Sequence, residues 1–198
     1  MKKTLLILIF FALLIACSNE TKCPQFPTQL QKWMPYANNE KAMFISSKEI
    51  QTFEFNNVYA TPYYTIGGNE ACNCEAIAYC NSNVDSVNNI QLTCSADKKA
   101  ARTEFEYKFH HYAYKGAYYV PTTIDNFAFA IKKDGTLEYA NAIDTLVVNK
   151  NTYTDVIAVE IDTVSKRSTL IYKVYIANGF GIVKYESKDG ISYELKRF

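Results

Sequence analysis

Glycine and proline are scarce in this chain, and its positive and negative charges are nearly balanced. Among 198 residues there are 7 glycines and 5 prolines, against 16 tyrosines and 12 phenylalanines. So few chain-breaking residues exclude collagen-like and low-complexity chains, and 21 Lys and Arg against 20 Asp and Glu leave no basic excess for nucleic acid. Aromatic and β-branched residues favour strands. The composition therefore predicts a folded, β-rich protein with no nucleic-acid partner.

Sequence motifs for common enzyme chemistry are missing too. The chain has no Gly-x-Ser-x-Gly, no His-Glu-x-x-His, no phosphate-cradling glycine loop and no Cys-x-x-Cys. Its two histidines, His110 and His111, are adjacent. Neighbouring residues on a strand point to opposite faces, so we interpret one histidine as exposed and the other as half-buried. We predict a non-enzyme with no catalytic residues, no metal site and no cofactor.

The N-terminus has the pattern of an export signal. Lys2 and Lys3 precede an apolar run over residues 4–15, which is too short for a membrane span of about 20 residues. The run ends in Leu-Ile-Ala-Cys at Cys17, which resembles the lipobox of bacterial lipoproteins. That resemblance implies cleavage before Cys17 and acylation with palmitate-like chains, each buried CH₂ adding about 0.8 kcal/mol of membrane affinity. The alternatives are an ordinary signal peptide with an incidental cysteine, or an uncleaved anchor.

This interpretation divides the chain into three parts. Residues 1–16 are the lipoprotein signal peptide, residues 17–24 a polar lipidated tether, and residues 25–198 a single β-rich domain. Cleavage leaves 182 residues, of which 19 are basic and 20 acidic. That length supports one domain with a sizeable core.

Short strands separated by turns fill the predicted domain. Turn signals occur at Gly67-Gly68-Asn69, Asp134-Gly135, Asn149-Lys150-Asn151 and Lys188-Asp189-Gly190. Strands recurring about every ten residues favour antiparallel pairing in sequence order. We therefore predict a mainly β fold with little helix, either a curved antiparallel sheet, as in a half-barrel, or a sandwich.

A phase change in the aromatic pattern lies within residues 103–114. Phe105, Tyr107 and Phe109 occupy odd positions, whereas Tyr112 and Tyr114 occupy even ones. A one-residue slip of this kind is what a β-bulge produces. The pattern predicts a bulge at His110-His111.

The cysteines other than Cys17 are Cys23, Cys72, Cys74, Cys80 and Cys94. Export permits disulfides, and five thiols allow at most two bridges with one cysteine left over. A hairpin centred near residue 84 would place Cys74 opposite Cys94, which is the best single pairing, with Cys72 and Cys80 as further candidates. A zinc site and a redox role stay open as alternatives, although the second spaced cysteine pair typical of zinc sites is missing.

Two segments resemble the ending and the opening of Bacteroidota-type envelope lipoproteins of uncharacterised function. They are the closing segment Val174-Tyr-Ile-Ala-Asn-Gly-Phe-Gly-Ile-Val-Lys-Tyr-Glu186 and the earlier Trp33-Met-Pro-Tyr36. Some of these are similar to the half-barrel lipoprotein-carrier (LolA-like) fold, a curved sheet with an apolar concave face. Gly179 and Gly181 separate two apolar strands, where a tight turn or bulge needs positive φ. We interpret both glycines as structural.

Together these features predict a lipoprotein of the outer membrane, on its periplasmic or its surface face. The expected function is a lipid-anchored binding or carrier module whose concave face holds a hydrophobic ligand. The alternative is a structural or interaction subunit of an outer-membrane complex, in which an aromatic face meets an envelope protein. Its expected partners are the membrane, through the N-terminal lipid, and that ligand or protein.

Overall fold

A computed structural model of the chain describes residues 32–64, 70–80, 86–97, 102–115, 119–132, 134–161 and 170–196. These residues form twelve strands. The strands are β1 (Glu40–Ile45), β2 (Ile50–Tyr64), β3 (Glu70–Cys80), β4 (Ser86–Asp97), β5 (Arg102–Tyr114), β6 (Tyr119–Lys132), β7 (Leu137–Glu138), β8 (Asn141–Val148), β9 (Asn151–Glu160), β10 (Ile171–Ala177), β11 (Gly181–Ser187) and β12 (Ser192–Lys196). No helix occurs within the described ranges, so none there could span a bilayer.

All twelve strands join one antiparallel sheet in the order β7-β6-β5-β4-β3-β2-β1-β12-β11-β10-β9-β8. Neighbours in the sheet are neighbours in the chain, except that β1 pairs with β12 in the middle. The outermost strands, β7 and β8, pair with one neighbour each, so the sheet is not closed. The predicted fold class, a mainly β antiparallel curved sheet or sandwich, is confirmed.

The sheet curls so that its two halves share a core on the inner face, defined here as the face that carries Phe105, Tyr107 and Phe109. Phe109 on β5 lies 5.3 Å from Tyr185 on β11, centroid to centroid, and Phe105 stacks on Phe129 at 4.7 Å. Alternation explains this face, because every second residue of a strand points the same way. The largest side chains with almost no exposure there are Phe44, Phe53, Phe55, Phe105, Tyr107, Phe109, Phe127, Phe129 and Tyr185.

A register shift does occur next to the predicted bulge at His110-His111, but β5 itself keeps its phase through His111. Positions 103, 105, 107, 109 and 111 are all buried, and β4 pairs with β5 without interruption from Ala113 to Thr103. The register shift does fall after His111, but only in the pairing with β6, where His111 faces Thr123 and Tyr112 faces Pro121. The additional residue is therefore Thr122 of β6. The odd position 111 stays on the core face although it carries an imidazole rather than an aromatic hydrocarbon ring.

A second core lies on the outer face, opposite the first, where the β8–β9 hairpin bends over β10 and β11. Its turn residues Asn149 and Lys150 both have positive φ, at 45° and 66°, as a two-residue type I′ turn requires. On β9 this core contains Tyr153 and then the even positions Val156 and Ala158, so the side facing it shifts by one residue between them. Asp155, with φ of 52°, lies at that shift. The buried members of this core are Val148, Tyr153, Val156, Ala158, Tyr175, Ala177 and Val183.

The chain enters the sheet beneath the turn between β10 and β11. The Gly179 amide donates to the Lys32 carbonyl at 2.6 Å, and the Ile182 amide donates to the Tyr36 hydroxyl at 2.7 Å. Gly179 and Gly181 have φ of 81° and 68°, which confirms the predicted positive φ. A Cβ on Gly181 would overlap the Tyr36 hydroxyl oxygen. The two segments that carry the lipoprotein resemblance therefore meet in the fold.

Candidate functional site

The predicted anchor, Cys17, and the next cysteine, Cys23, lie outside the described residues. The remaining four cysteines lie on β3 and β4, where the structure describes the backbone but not these side chains. Cys74 is the register partner of Cys94, as the predicted hairpin requires, whereas Cys72 faces Ala96 on β4 and Cys80 faces Phe53 on β2. The bridge itself stays a prediction.

Groups of three or more metal-binding side chains are not found among the described residues. The side chains of the four cysteines on β3 and β4 are not among the described ones.

One of the two histidines differs from its predicted environment. His110 is half-buried, with Nε2 lying 3.2 Å from the Gln91 side-chain oxygen, and burial lowers its pKa, helped by the charges of Lys108 and His111. His111 is buried at 6% exposure. The interpretation is therefore right for the half-buried histidine, His110, and wrong for an exposed one, since β5 keeps position 111 in the core.

His111 belongs to a polar cluster that joins β5, β6 and β10. Its Nε2 lies 2.8 Å from Oδ2 of Asp125, which is completely buried. The same oxygen accepts the amides of Ile171 at 2.7 Å and Leu170 at 3.1 Å. A histidine beside a carboxylate is part of many hydrolytic sites, but a substrate needs access to the imidazole. Burial of both side chains indicates a structural link between the two halves of the sheet.

An open groove of about 260 Å³ lies on the outer face of β4, β5 and β6. We call it the outer groove. Its floor contains Ala128 and Ala130, and Tyr139, which follows β7, lies at its rim. Small residues on β6 leave the space that larger side chains would fill. The side chains that matter for its chemistry are Thr93, Glu104, Glu106, Ala128, Ala130 and Tyr139.

Every carboxylate of the outer groove has a cationic neighbour. The Glu104 carboxylate accepts from the Arg102 guanidinium at 2.6 Å, and the Glu106 carboxylate lies 2.6 Å from the Lys108 ammonium. Asn126 also donates to Glu106, at 2.7 Å. Burial raises the pKa of Glu106, but the hydrogen bonds from Lys108, Asn126 and Thr93 outweigh it and hold the pKa below its usual value. The walls therefore combine donors and acceptors with little net charge.

Tyr139 is the most exposed large hydrophobic side chain of the described residues, at 73%. Its φ is +64°, an uncommon conformation for a bulky residue. The preceding Glu138 is held by Arg102 at 3.3 Å and Lys132 at 2.8 Å. The ring is thus presented to solvent at the groove by a network of charges.

Neither the polar cluster of His111 and Asp125 nor the outer groove was predicted from the sequence. Asp125 could have been found, because a carboxylate occupies the same phase of β6 as the core residues Phe127 and Phe129. The outer groove leaves no comparable signal, since it depends on the pairing of β6 with a two-residue strand. Comparisons with protein-family models, with curated proteins and with solved structures each found no match to this chain.

Proposed function

We propose that this chain is a lipid-anchored binding module of the outer membrane, attached through Cys17, with its ligand site in the outer groove. One observation carries the choice of site: Tyr139 is held in a disfavoured backbone conformation with its ring exposed at a groove of mixed polarity. Backbone strain of this kind concentrates at functional sites because surrounding contacts must maintain it. The proposal assigns no catalytic role.

The inner face is a poorer site for a ligand. Phe44, Phe53, Phe105, Phe109 and Tyr185 each have about 1% exposure or less and pack against one another. A hydrophobic ligand there would have to displace rings packed at the density of a protein interior. The outer groove is already open, and it suits a ligand with one apolar surface and several hydrogen-bonding groups.

The test isolates the mature protein gently from its own membrane and weighs it by native mass spectrometry. The variant Ala128→Phe fills the outer groove, and Ala142→Phe, at an exposed position of β8, is the matched control. We expect a bound mass on the wild type and the control that the groove variant lacks. An equal bound mass on all three proteins would overturn the proposed site. So would a wild type that carries no bound mass and whose melting temperature no fraction of an envelope extract raises.

A second candidate function, a subunit of an outer-membrane complex, is favoured by the edge of β8. In a hairpin with a two-residue turn, hydrogen-bonded pairs alternate from Val148 outward, so the backbone groups of Thr145 and Val147 face away from β9. No described strand covers that side, and Val147 is 65% exposed. An uncovered, apolar edge is suited to pairing with another chain.

Crosslinking in intact membranes tests this second function. The variant Val147→Lys places a charge on the uncovered edge, whereas Thr154→Lys changes an exposed position of β9 in the same hairpin. We expect a crosslinked partner to be lost with Val147→Lys and kept with Thr154→Lys. Equal crosslinking of both variants would contradict a β8 interface.

A further inference from the structure

The outer groove offers one aromatic ring rather than an apolar cavity. Tyr139 directly follows Glu138, which Arg102 and Lys132 both contact, and most of its ring surface is exposed. An aromatic ring presents an apolar face with a negative quadrupole, which attracts the polarised C–H groups of a ligand lying flat on it. The exposed Ala128 adds a shallow apolar surface next to it.

Charge balance around the groove disfavours ions as ligands. Arg102 contacts Glu104 and Glu138, while Lys108 contacts Glu106 and Lys132 contacts Glu138. Three cations therefore accompany three carboxylates. A cationic or anionic ligand would meet both signs at close range, and its Coulomb attraction would largely cancel. A neutral ligand would lose nothing by this arrangement.

Hydroxyl groups fit the same arrangement well, because each can donate one hydrogen bond and accept two. Carboxylate oxygens of Glu104 and Glu106 can accept from them, while Arg102, Lys108 and Asn126 can donate. Hydrogen bonds to charged groups are roughly twice as strong as those between neutral groups. The walls are thus suited to a ligand with several hydroxyls around its edge.

The size of the groove limits what can enter. Its volume of about 260 Å³ lies below the roughly 300–1,000 Å³ typical of sites for drug-sized molecules. The groove is also open to solvent, so a larger molecule can place one ring inside while the rest extends outward. A lipid chain would leave most of its length in water.

We propose that the outer groove binds one hexose unit of a neutral saccharide, with the sugar ring stacked on Tyr139 and its hydroxyls bonded to Glu104 and Glu106. This inference rests on the proposed binding function and names its ligand class. The aromatic face and the two carboxylates belong to one eight-residue lining with a volume of about one ring. The donors Arg102, Lys108 and Asn126 contact those carboxylates from beside the lining.

The test uses neutral tetrasaccharides of glucose, galactose, mannose and N-acetylglucosamine, with tetramers of glucosamine and galacturonate as charged counterparts. Binding is measured by calorimetry on the full mature domain. We expect at least one neutral tetramer to bind, and its charged counterparts to bind no more tightly. Tyr139→Ala should weaken that binding about tenfold, which corresponds to about 1.4 kcal/mol of lost stacking, whereas Tyr139→Phe keeps the ring and should stay within about threefold.

Phe180→Ala removes an exposed ring that packs on Tyr153 and does not line the outer groove, so it serves as the control and should leave binding unchanged. Acidification gives a second readout, because the ionised Glu106 carboxylate accepts hydrogen bonds more strongly than its protonated form does. Its pKa is lowered, so binding should be constant from neutral pH down to about 5 and fall only below the ordinary carboxyl value of about 4.3.

Two failures can be told apart. If no saccharide binds but Ala128→Phe still removes a native ligand, the saccharide class is overturned and the binding function stands. If a saccharide binds equally to wild type, Tyr139→Ala and Ala128→Phe, the outer groove is not the site and both proposals fail.

Discussion

At the scale of single residues, Asp125 joins the two halves of the sheet most directly. Its buried carboxylate accepts from His111 and from two amides at the start of β10. Asp125→Ala should lower the free energy of unfolding by about 3–5 kcal/mol, because it leaves buried donors without an acceptor. The neighbouring Ile124→Ala, at an exposed position, should change it by less than about 0.5 kcal/mol. Urea denaturation measures both.

The double variant His111→Leu with Asp125→Leu sharpens this prediction. It removes both polar partners together, so it should be less destabilised than the sum of the two single variants. Additive losses would show that the two side chains act independently.

Gly181 and Gly179 form a matched pair of residues. Both have positive φ, but an added Cβ meets Tyr36 at Gly181 and nothing within 4 Å at Gly179. Gly179→Ala should destabilise by about 1–2 kcal/mol, the strain of a left-handed residue. Gly181→Ala should cost at least about 2 kcal/mol more, because Tyr36 is buried and stacked on Phe55 at 3.8 Å. Equal melting temperatures of the two variants would contradict this.

At the scale of elements, the β3–β4 hairpin carries the disulfide prediction. Cys74 and Cys94 are register partners, and bridging them would close a loop of about 20 residues worth roughly 3 kcal/mol. Cys74→Ser and Cys94→Ser should therefore each destabilise by about that amount, and the double variant by no more. Thiol titration of the unfolded, unreduced protein is the direct measurement. Five free thiols in the mature protein, together with stoichiometric zinc in its native state, would replace the bridge by a metal site.

Elements also show where sequence reasoning succeeds and fails. Strand positions and the centre of the β3–β4 hairpin follow from local alternation and turn residues, so they could be predicted. The phase of β5 could not, because tyrosines at 112 and 114 continue an aromatic pattern while the core position at 111 is filled by a histidine bonded to Asp125. That bond joins residues on different strands, and no local pattern records it. The outer groove depends in the same way on pairing between β6 and β7.

At the scale of the whole molecule, buried tyrosines predict sensitivity to alkali. Burial raises the pKa of Tyr36 well above its usual value, and burial with a bond to Glu49 raises the pKa of Tyr193 to about 12. In the unfolded chain tyrosine ionises near 10. The folded state therefore holds its protons more tightly, so stability should be constant below about pH 10 and fall as pH rises from there toward 12.

Urea denaturation across that pH range checks the alkaline prediction. Tyr193→Phe should show a shallower loss of stability than the wild type above pH 10, and a parallel pH dependence between about pH 7 and 9. Parallel slopes of the two proteins at alkaline pH would contradict an effect of Tyr193.

Entry of the chain beneath the β10–β11 turn has a mechanical consequence. Tension applied from the N-terminal side would first load the hydrogen bond between Lys32 and Gly179, and then the rings of Trp33 and Tyr36, which pack against Phe129 and Phe55. Only after these yield would force reach β1, which is held by strands on both sides. A protein tethered at that end could thus be pulled by its attachment without its sheet being peeled from an edge.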